Sequence, residues 1–329
     1  MNSPSYIWNS ISMFYSASTT QSYLHNCYLK HSIIESKVKS FQNTPVFIHY
    51  LKSAEIYYKE AYSVSLTIQP VLLFYGYIQL IKACLLSLDP TYPNSSTLLA
   101  HGVSTRKRKK QQYEFLKDEV KIQKNGLFPH MASSMFHVEH LDGEKINMND
   151  LFYCIPELYD HYHYFSMPNS FPLRKLSNHS YSTTNKCLDS FHMSAERMET
   201  YLTNTNRFSL KCKEEKDQLY FNFEKTPTYN YHQPIRFNCE TEQYQIIKKQ
   251  ETLSYLLNEM LIHYLLLYNL SMIARYETEW WMDLITTTPN EDFPFISKFL
   301  QVTLTKGPLL IKAWLFGERD HLFNEIKVK

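Results

Sequence analysis

Residues 70–88 read PVLLFYGYIQLIKACLLSL. Wound as a helix, this stretch is apolar nearly all round, with Gln79 and Lys82 as its mid-run polar breaks. A helix that is hydrophobic on every face belongs inside a core. The polar breaks favour a buried core helix over a membrane span. Pro70 suits the first turn, while Asp89-Pro90 and Pro93 end the helix in a loop. The rest of the chain is therefore expected to pack around this segment.

Upstream, residues 6–28 carry aromatic and apolar side chains at mixed helical spacing. Pro45 predicts the start of a second helix. There Phe47, Tyr50, Leu51, Ala54, Tyr57, Tyr58, Ala61 and Tyr62 recur every three or four residues and make one apolar face. Far downstream, LSYLLNEMLIHYLLLYNLSMIARYETEWWMDLI predicts the longest helix, from about Thr252 to Ile285. Asp292-Phe293-Pro294 starts another, and Pro308 opens the last.

The middle reads differently. Val120 and Ile122 alternate, and Asn125-Gly126 between apolar residues predicts a hairpin. Asp142-Gly143 marks a second hairpin, between Phe136-Val138 and Ile146. Asn149 or Asp150 caps a short helix interrupted at Pro156. Residues Met167 to Asn185, rich in Ser, Asn, Pro and Thr, read as a loop or a crossing between subdomains. A helix around Ser190 to Leu202 follows, then strands at Phe208–Cys212, Leu219–Phe223 and Ile235–Asn238. The fold class expected is α+β, predominantly α-helical with a small β-rich middle region. The expected organisation is a helical region over 1–100, a mixed region over 101–250, and a helical region over 251–329 packed on the first, with one composite domain as the alternative.

Composition excludes several chemistries. The chain has 329 residues and only six glycines, at 76, 102, 126, 143, 307 and 317. They are too far apart for a dinucleotide-binding G-x-G-x-x-G or a phosphate loop, and no G-x-S-x-G elbow occurs. The six cysteines form no C-x-x-C, so neither a zinc module nor a small disulfide scaffold is indicated. Scattered thiols suit a reducing cytoplasm, and the N-terminal residues show no secretory pattern. The net charge of +2 implies no polyanion partner by itself, so any such argument rests on local clustering.

That clustering lies in His101–His130, HGVSTRKRKKQQYEFLKDEVKIQKNGLFPH. Arg106, Lys107, Arg108, Lys109 and Lys110 are adjacent, and Lys117, Lys121 and Lys124 extend the positive field against Glu114, Asp118 and Glu119. Adjacent cations repel one another, and phosphates relieve that repulsion in a salt-dependent way. The run reads as a solvated surface, as a contact for a phosphate-bearing ligand, or as a dock for an acidic protein partner.

Two enzymatic patterns compete with this. Glu119-Val120-Lys121 on a strand, with Asp89 or Asp118, matches the core of a metal-dependent nuclease family, in which carboxylates hold Mg²⁺ and Lys orients water. Arg174 and His179 have the R-x4-H spacing of HEPN-type ribonucleases, although their Pro-, Ser- and Asn-rich context predicts a loop where those enzymes use a helix. His137, Glu139 and His140, and Asp160, His161 and His163, offer metal-ligating atoms. On strands His161 and His163 share a side, but no second His/Cys set has ligand spacing, so surface or hydrogen-bonded histidines are the reading and no metal is assigned. On the long helix Arg275 and Glu279 are spaced i,i+4, which predicts a salt bridge. With Trp280 and its neighbours they also make a candidate polar site.

The strings LLFYGYIQLIKACLL (72–86), LLAHGVSTRKRKKQQYEFLKDEVKIQKNGLFPH (98–130) and HYLLLYNLSMIARYETEWW (263–281) resemble the YaaC-like family of Bacillus and related Firmicutes. The resemblance spans most of the chain. It implies a loose link to guanine nucleotide metabolism, through a gene commonly beside that for IMP dehydrogenase, and carries over no catalytic residue.

The leading expectation is a cytoplasmic binding or regulatory protein, without a cofactor and without a membrane contact. It would meet nucleic acid or a nucleotide through Arg106, Lys107, Arg108, Lys109, Lys110, Lys117 and Lys124, with a second polar site at Arg275, Glu279 and Trp280. A nuclease and a protein-interaction scaffold are the alternatives.

Overall fold

The computed structural model describes residues 4–106, 113–206, 209–224 and 234–326. It is α+β and predominantly helical, with 61% helix against 14% strand. Contacts divide the chain into two compact units, Met1–Lys145 with His263–Lys329, and Ile146–Ile262.

In the first unit, α1 (Pro4–Ile11), α2 (Ala17–Lys30), α3 (Ser36–Ser63) and α4 (Gln69–Leu88) form a helical layer. The expected core helix is α4, where fourteen residues from Gln69 to Ser87 are buried. Among the described residues it is the one helix long and apolar enough to cross a membrane by length and composition, and most of that window is buried inside the protein. Helix α3 begins well before Pro45. Its buried stripe is Ser36, Ser40, Thr44, Phe47, Leu51, Ala54, Tyr58 and Ala61, steps of three and four that suit packing against α2 and α4. The first three members of that stripe are small and polar, so they carry no apolar signature. Pro45 lies on the exposed face, where water can serve the carbonyl its ring leaves unbonded.

Between α4 and the second unit come β1 (Val103–Thr105), β2 (Glu119–Ile122) and α5 (Leu127–Phe136). β1 and β2 pair antiparallel, with Val103 opposite Ile122 and Ser104 opposite Lys121. Asn125-Gly126 is thus no hairpin turn, and Phe136 ends a helix where a strand was expected. Gly126 enters α5 at φ 133° and touches the backbone of Gly102, itself at φ 76°. The Leu127 and Phe128 N–H groups donate to Ala100 O (2.7 Å) and His101 O (3.1 Å), which satisfies two of the amides a helix start leaves open.

The second unit takes up the chain at Ile146, within β3 (Lys145–Asn147), and continues in α6 (Met148–Tyr153), which Asn147 caps by accepting from the Asn149 N–H at 2.8 Å. After α7 (Tyr159–Tyr164), the stretch expected as a loop forms β4 (Ser170–Pro172), β5 (Arg174–Lys175) and β6 (Ser180–Thr184). Polar strands of this kind are held by ladder hydrogen bonds that composition does not announce. Two short helices, α8 (Lys186–Phe191) and α9 (Ala195–Asn206), replace the single one expected, with His192 breaking them in the left-handed region. β7 (Leu210–Glu215), β8 (Gln218–Phe223) and β9 (Ile235–Asn238) answer the expected strands, and β10 (Gln243–Ile247) was not foreseen. The sheets are ordered β4-β10-β9 and β5-β6-β8-β7, with antiparallel neighbours.

The expected helix over Thr252–Ile285 is three: α10 (Leu253–Leu256), α11 (Glu259–Tyr276) and α12 (Thr278–Thr287). Leu257 is extended, and Asn258 Oδ1 accepts from the Met260 N–H (2.9 Å), so a polar cap is embedded in an apolar run. Glu277 makes the second break at φ −118° and ψ 48°. The longest helix is instead α13 (Asp292–Ile326), 35 residues with Pro308 inside. Preceding that proline, Gly307 lies flat against the Tyr58 hydroxyl. Packing against α1 and α4 holds the helix as one element.

Candidate functional site

The site is built from the outer face of β1 and β2 and the segment leading into β2. Val103, Val120 and Ile122 face inward and are buried, so the alternation turns Ser104, Arg106, Glu119 and Lys121 the other way. Ahead of β2, a short 3-10 turn over Phe115–Lys117 is held from below by a buried carboxylate. Asp292, 2% exposed at the start of α13, accepts from the Phe115 N–H (2.7 Å), the Leu116 N–H (3.0 Å) and Asn290 Nδ2 (3.2 Å). Burial raises the Asp292 pKa, and the bonds from Leu116, Phe115 and Asn290 pull it back down.

A second tether holds the same segment. Asp118 Oδ2 accepts from Tyr113 Oη (2.8 Å) and from Asn269 Nδ2 on α11 (2.6 Å). Trp280 Nε1 on α12 donates to Tyr113 O (3.2 Å), and the two rings meet edge to face at 4.6 Å. Three helices thus fix the chain that presents Lys117, Asp118 and Glu119.

Above this platform opens a cleft of about 520 Å³. Four cations line it: Arg106, Lys117, Lys121 and Lys145. Asp118 and Glu119 oppose them, and Ser104 and Thr105 complete the lining. Lys117 pairs with Glu114 (2.8 Å), and Lys145 approaches Glu119 at a long 3.9 Å. Such exposed pairs hold their cations loosely. Arg106 and Lys121 make no ion pair with a described residue. The cleft therefore offers an excess of positive charge and two hydroxyl side chains to an incoming anion.

Of the basic residues singled out from sequence, Arg106 and Lys117 meet in this cleft. Lys124 is exposed but does not line it. Lys107, Arg108, Lys109 and Lys110 lie outside the described residues. Lys121 had been read as part of the positive field, whereas Lys145 was missed. A lone lysine gives no charge signal, and the Asp142-Gly143 turn alone hinted that the chain doubles back there. Gly143 N–H donates to Ile122 O (3.1 Å), and Ile122 N–H donates to Glu144 O (2.9 Å), which brings Lys145 beside β2.

The second polar site takes a different form from the one expected. Arg275 and Glu279 stand on separate helices and form no ion pair; Glu279 is exposed. Arg275 instead donates from Nε to Ser271 O (3.0 Å) and from Nη1 to Tyr75 Oη (3.2 Å), and its guanidinium lies 5.2 Å from the Tyr276 ring centre. Trp280 belongs to the platform under the cleft. Near Arg275, the His101 pKa is lowered by burial first, then by Arg275 and Lys82.

The enzymatic patterns fare unevenly. Asp118, Glu119 and Lys121 line one cleft, but Asp89 does not and instead binds the Thr91 N–H and hydroxyl. Arg174 lies on β5 and His179 in the turn before β6, both exposed, where HEPN chemistry needs a helix. His161 and His163 are on helix α7, where a two-residue spacing turns them to different sides. Among the described residues, no group of three His, Cys, Asp or Glu side chains is placed to hold a metal ion.

A family model described as YaaC-like Protein matches residues 12–315. The chain belongs to the YaaC-like family. Neither curated proteins nor solved structures give a match. The match to the YaaC-like model includes every lining residue of the cleft, the Asp292 and Trp280 supports, and Arg275. It thus agrees with the resemblance carried by the strings at 72–86, 98–130 and 263–281.

Proposed function

We propose that this YaaC-like chain is a binding or regulatory protein whose cleft takes a phosphate-bearing partner, with nucleic acid ahead of a single nucleotide. The observation that carries the reading is the convergence of Arg106, Lys117, Lys121 and Lys145 around one opening. In sequence, four more cations follow Arg106 directly, which favours a polyanion over a single phosphate. We place the protein in the cytoplasm; in support, all six cysteines are thiols, four of them buried.

The test is fluorescence anisotropy with labelled single-stranded RNA and duplex DNA, using wild type and an Arg106→Ser/Lys121→Ser/Lys145→Ser variant. Salt-sensitive binding that the variant loses supports the reading. Equal binding by both proteins refutes it, and binding of acidic proteins alone turns the cleft into a protein dock.

A second reading, cleavage of the bound nucleic acid, is favoured by Asp118, Glu119 and Lys121 lining the same cleft. Against it, Asp118 Oδ2 already serves Tyr113 and Asn269. Product formation on adding Mg²⁺ to the RNA complex, abolished by EDTA and by Glu119→Gln, would establish it.

A further inference from the structure

The first half of α3 is turned inside out. Its inner face buries Ser36, Ser40 and Thr44, and two of those hydroxyls donate to carbonyls of their own helix, Ser40 Oγ to Lys37 O (2.9 Å) and Thr44 Oγ1 to Ser40 O (2.7 Å). The large apolar side chains of the same turns lie on the outside. Val38, Phe41, Pro45 and Val46 are exposed, Phe41 to 68%, and Ile48 is half-buried at their edge. The turn leading into α3 adds Leu29, near the end of α2, and Ile34, which is 81% exposed. Beyond Ile48 the outer face changes character. There it carries His49, Lys52, Lys59 and Glu60, with Ile56 alone among them. Scattered apolar residues such as Ile56 are ordinary, whereas a contiguous apolar patch rimmed by polar groups marks an interaction site.

The spacing of the patch names its partner. Ile34, Val38, Phe41, Pro45 and Ile48 follow in steps of four, three, four and three, the seam spacing of one helix packed on another. The seam is also nearly symmetric about Phe41. Laid antiparallel on a second copy, Ile34 falls opposite Ile48, Val38 opposite Pro45, and Phe41 opposite its equivalent. A two-fold contact requires this self-matching. The Phe41 carbonyl, which Pro45 leaves without its helical donor, meets Gln42 of the second copy, whose amide can donate.

The area agrees. A standard interface covers about 800 Å² on each partner, a little over half of it apolar. Leu29, Ile34, Val38, Phe41 and Val46 expose roughly 500 Å² between them, at the upper end of what a monomer's largest patch shows. Lys37 and Gln42, exposed alongside, supply a polar rim.

We propose that the outer face of α3 over residues 34–48 pairs antiparallel with the same face of a second copy, so that the protein is a two-fold dimer in solution. The contact uses none of the cleft residues, and the failure of either assignment leaves the other standing.

The experiment is sedimentation velocity of the full chain over a concentration series. Wild type is expected to sediment as a dimer at micromolar concentration. Phe41→Glu places two like charges at the centre of the contact and is expected to raise the dimer Kd at least about hundredfold, with the helical circular dichroism unchanged. Tyr62→Glu alters an equally exposed ring about 20 Å further along α3 and is expected to leave the dimer intact. Cysteine variants test the register. Phe41→Cys is expected to cross-link to its equivalent on mild oxidation. Ile56→Cys, about 45 Å from its equivalent in this pairing, is expected not to. A wild type that stays monomeric at every concentration, a dimer unmoved by Phe41→Glu, or cross-linking of Ile56→Cys as ready as that of Phe41→Cys would overturn the inference. If Phe41→Glu does not fold, the two cysteine variants decide.

Discussion

Two buried charges, one from each unit, are treated in opposite ways. In the first, the Asp292 carboxylate gathers two backbone N–H groups and an Asn290 amide. In the second, the Arg236 guanidinium has one carbonyl and an idle Nη1. A satisfied buried charge is a structural clamp: it orders the chain that donates to it. An unsatisfied one is a standing cost. The cleft above the Asp292 clamp shows a third condition, in which cations stay exposed to water and cost little to keep.

The comparison breaks most readily at the two buried charges themselves. Asp292→Ala strands the Phe115 and Leu116 amides and is expected to cost roughly 3 kcal/mol in urea unfolding. Arg236→Met is expected to fall between no change and a gain of roughly 2 kcal/mol. Equal losses in the two variants would erase the distinction between the satisfied and the unsatisfied buried charge.

Next in size is the wet cluster. The triple cleft substitution is expected to lower RNA affinity at least about tenfold at low salt and to reduce the salt slope by about 2. Urea unfolding of that variant should match wild type, because exposed ion pairs contribute little to stability. Trp280→Phe sharpens the link between clamp and cleft. It deletes the bond to Tyr113 O and is expected to cost about 1 kcal/mol while changing RNA affinity less than the triple substitution does.

The smallest effect is on pH dependence. Burial, Arg275 and Lys82 hold His101 below its ordinary pKa. The unfolded chain therefore binds this proton more readily than the folded one. The stability from neutral His101 is complete above the ordinary histidine value and is lost as pH falls through and below it. The ring packs on Phe74 at 5.1 Å and Tyr268 at 5.6 Å, so His101→Phe keeps the shape. Melting curves at pH 7 and pH 5 should lie closer together for that variant than for wild type.

Much of the fold was legible where burial and apolar chemistry coincide. Helix α4 is the clear case, because nearly every side of it is apolar and nearly every side is covered. Legibility failed where burial is polar. The first half of α3 buries Ser36, Ser40 and Thr44, and β4 to β6 run through a Ser- and Thr-rich stretch. It failed again where a cap hides in an apolar run, as Asn258 does between Leu257 and Met260. Prolines misled in the opposite sense. Pro45 and Pro308 both lie inside helices that tertiary packing keeps whole.

The candidate site divides in the same way. Arg106 and Lys117 were visible as charge, and Glu119-Val120-Lys121 as an alternating strand. Lys145 was not, since its place depends on a turn and a strand pairing. Asp292 was also invisible as a support. Its partner Phe115 lies 177 positions earlier in the chain, and a carboxylate at a helix start already has a local explanation.

The central claim is that the cleft of the first unit binds phosphates. The most direct measurement is the slope of RNA affinity against salt concentration, compared between wild type and Arg106→Ser/Lys121→Ser/Lys145→Ser. A shallower slope and weaker binding in the variant, with its unfolding curve unchanged, is the predicted result. Parallel slopes with equal affinities would contradict it.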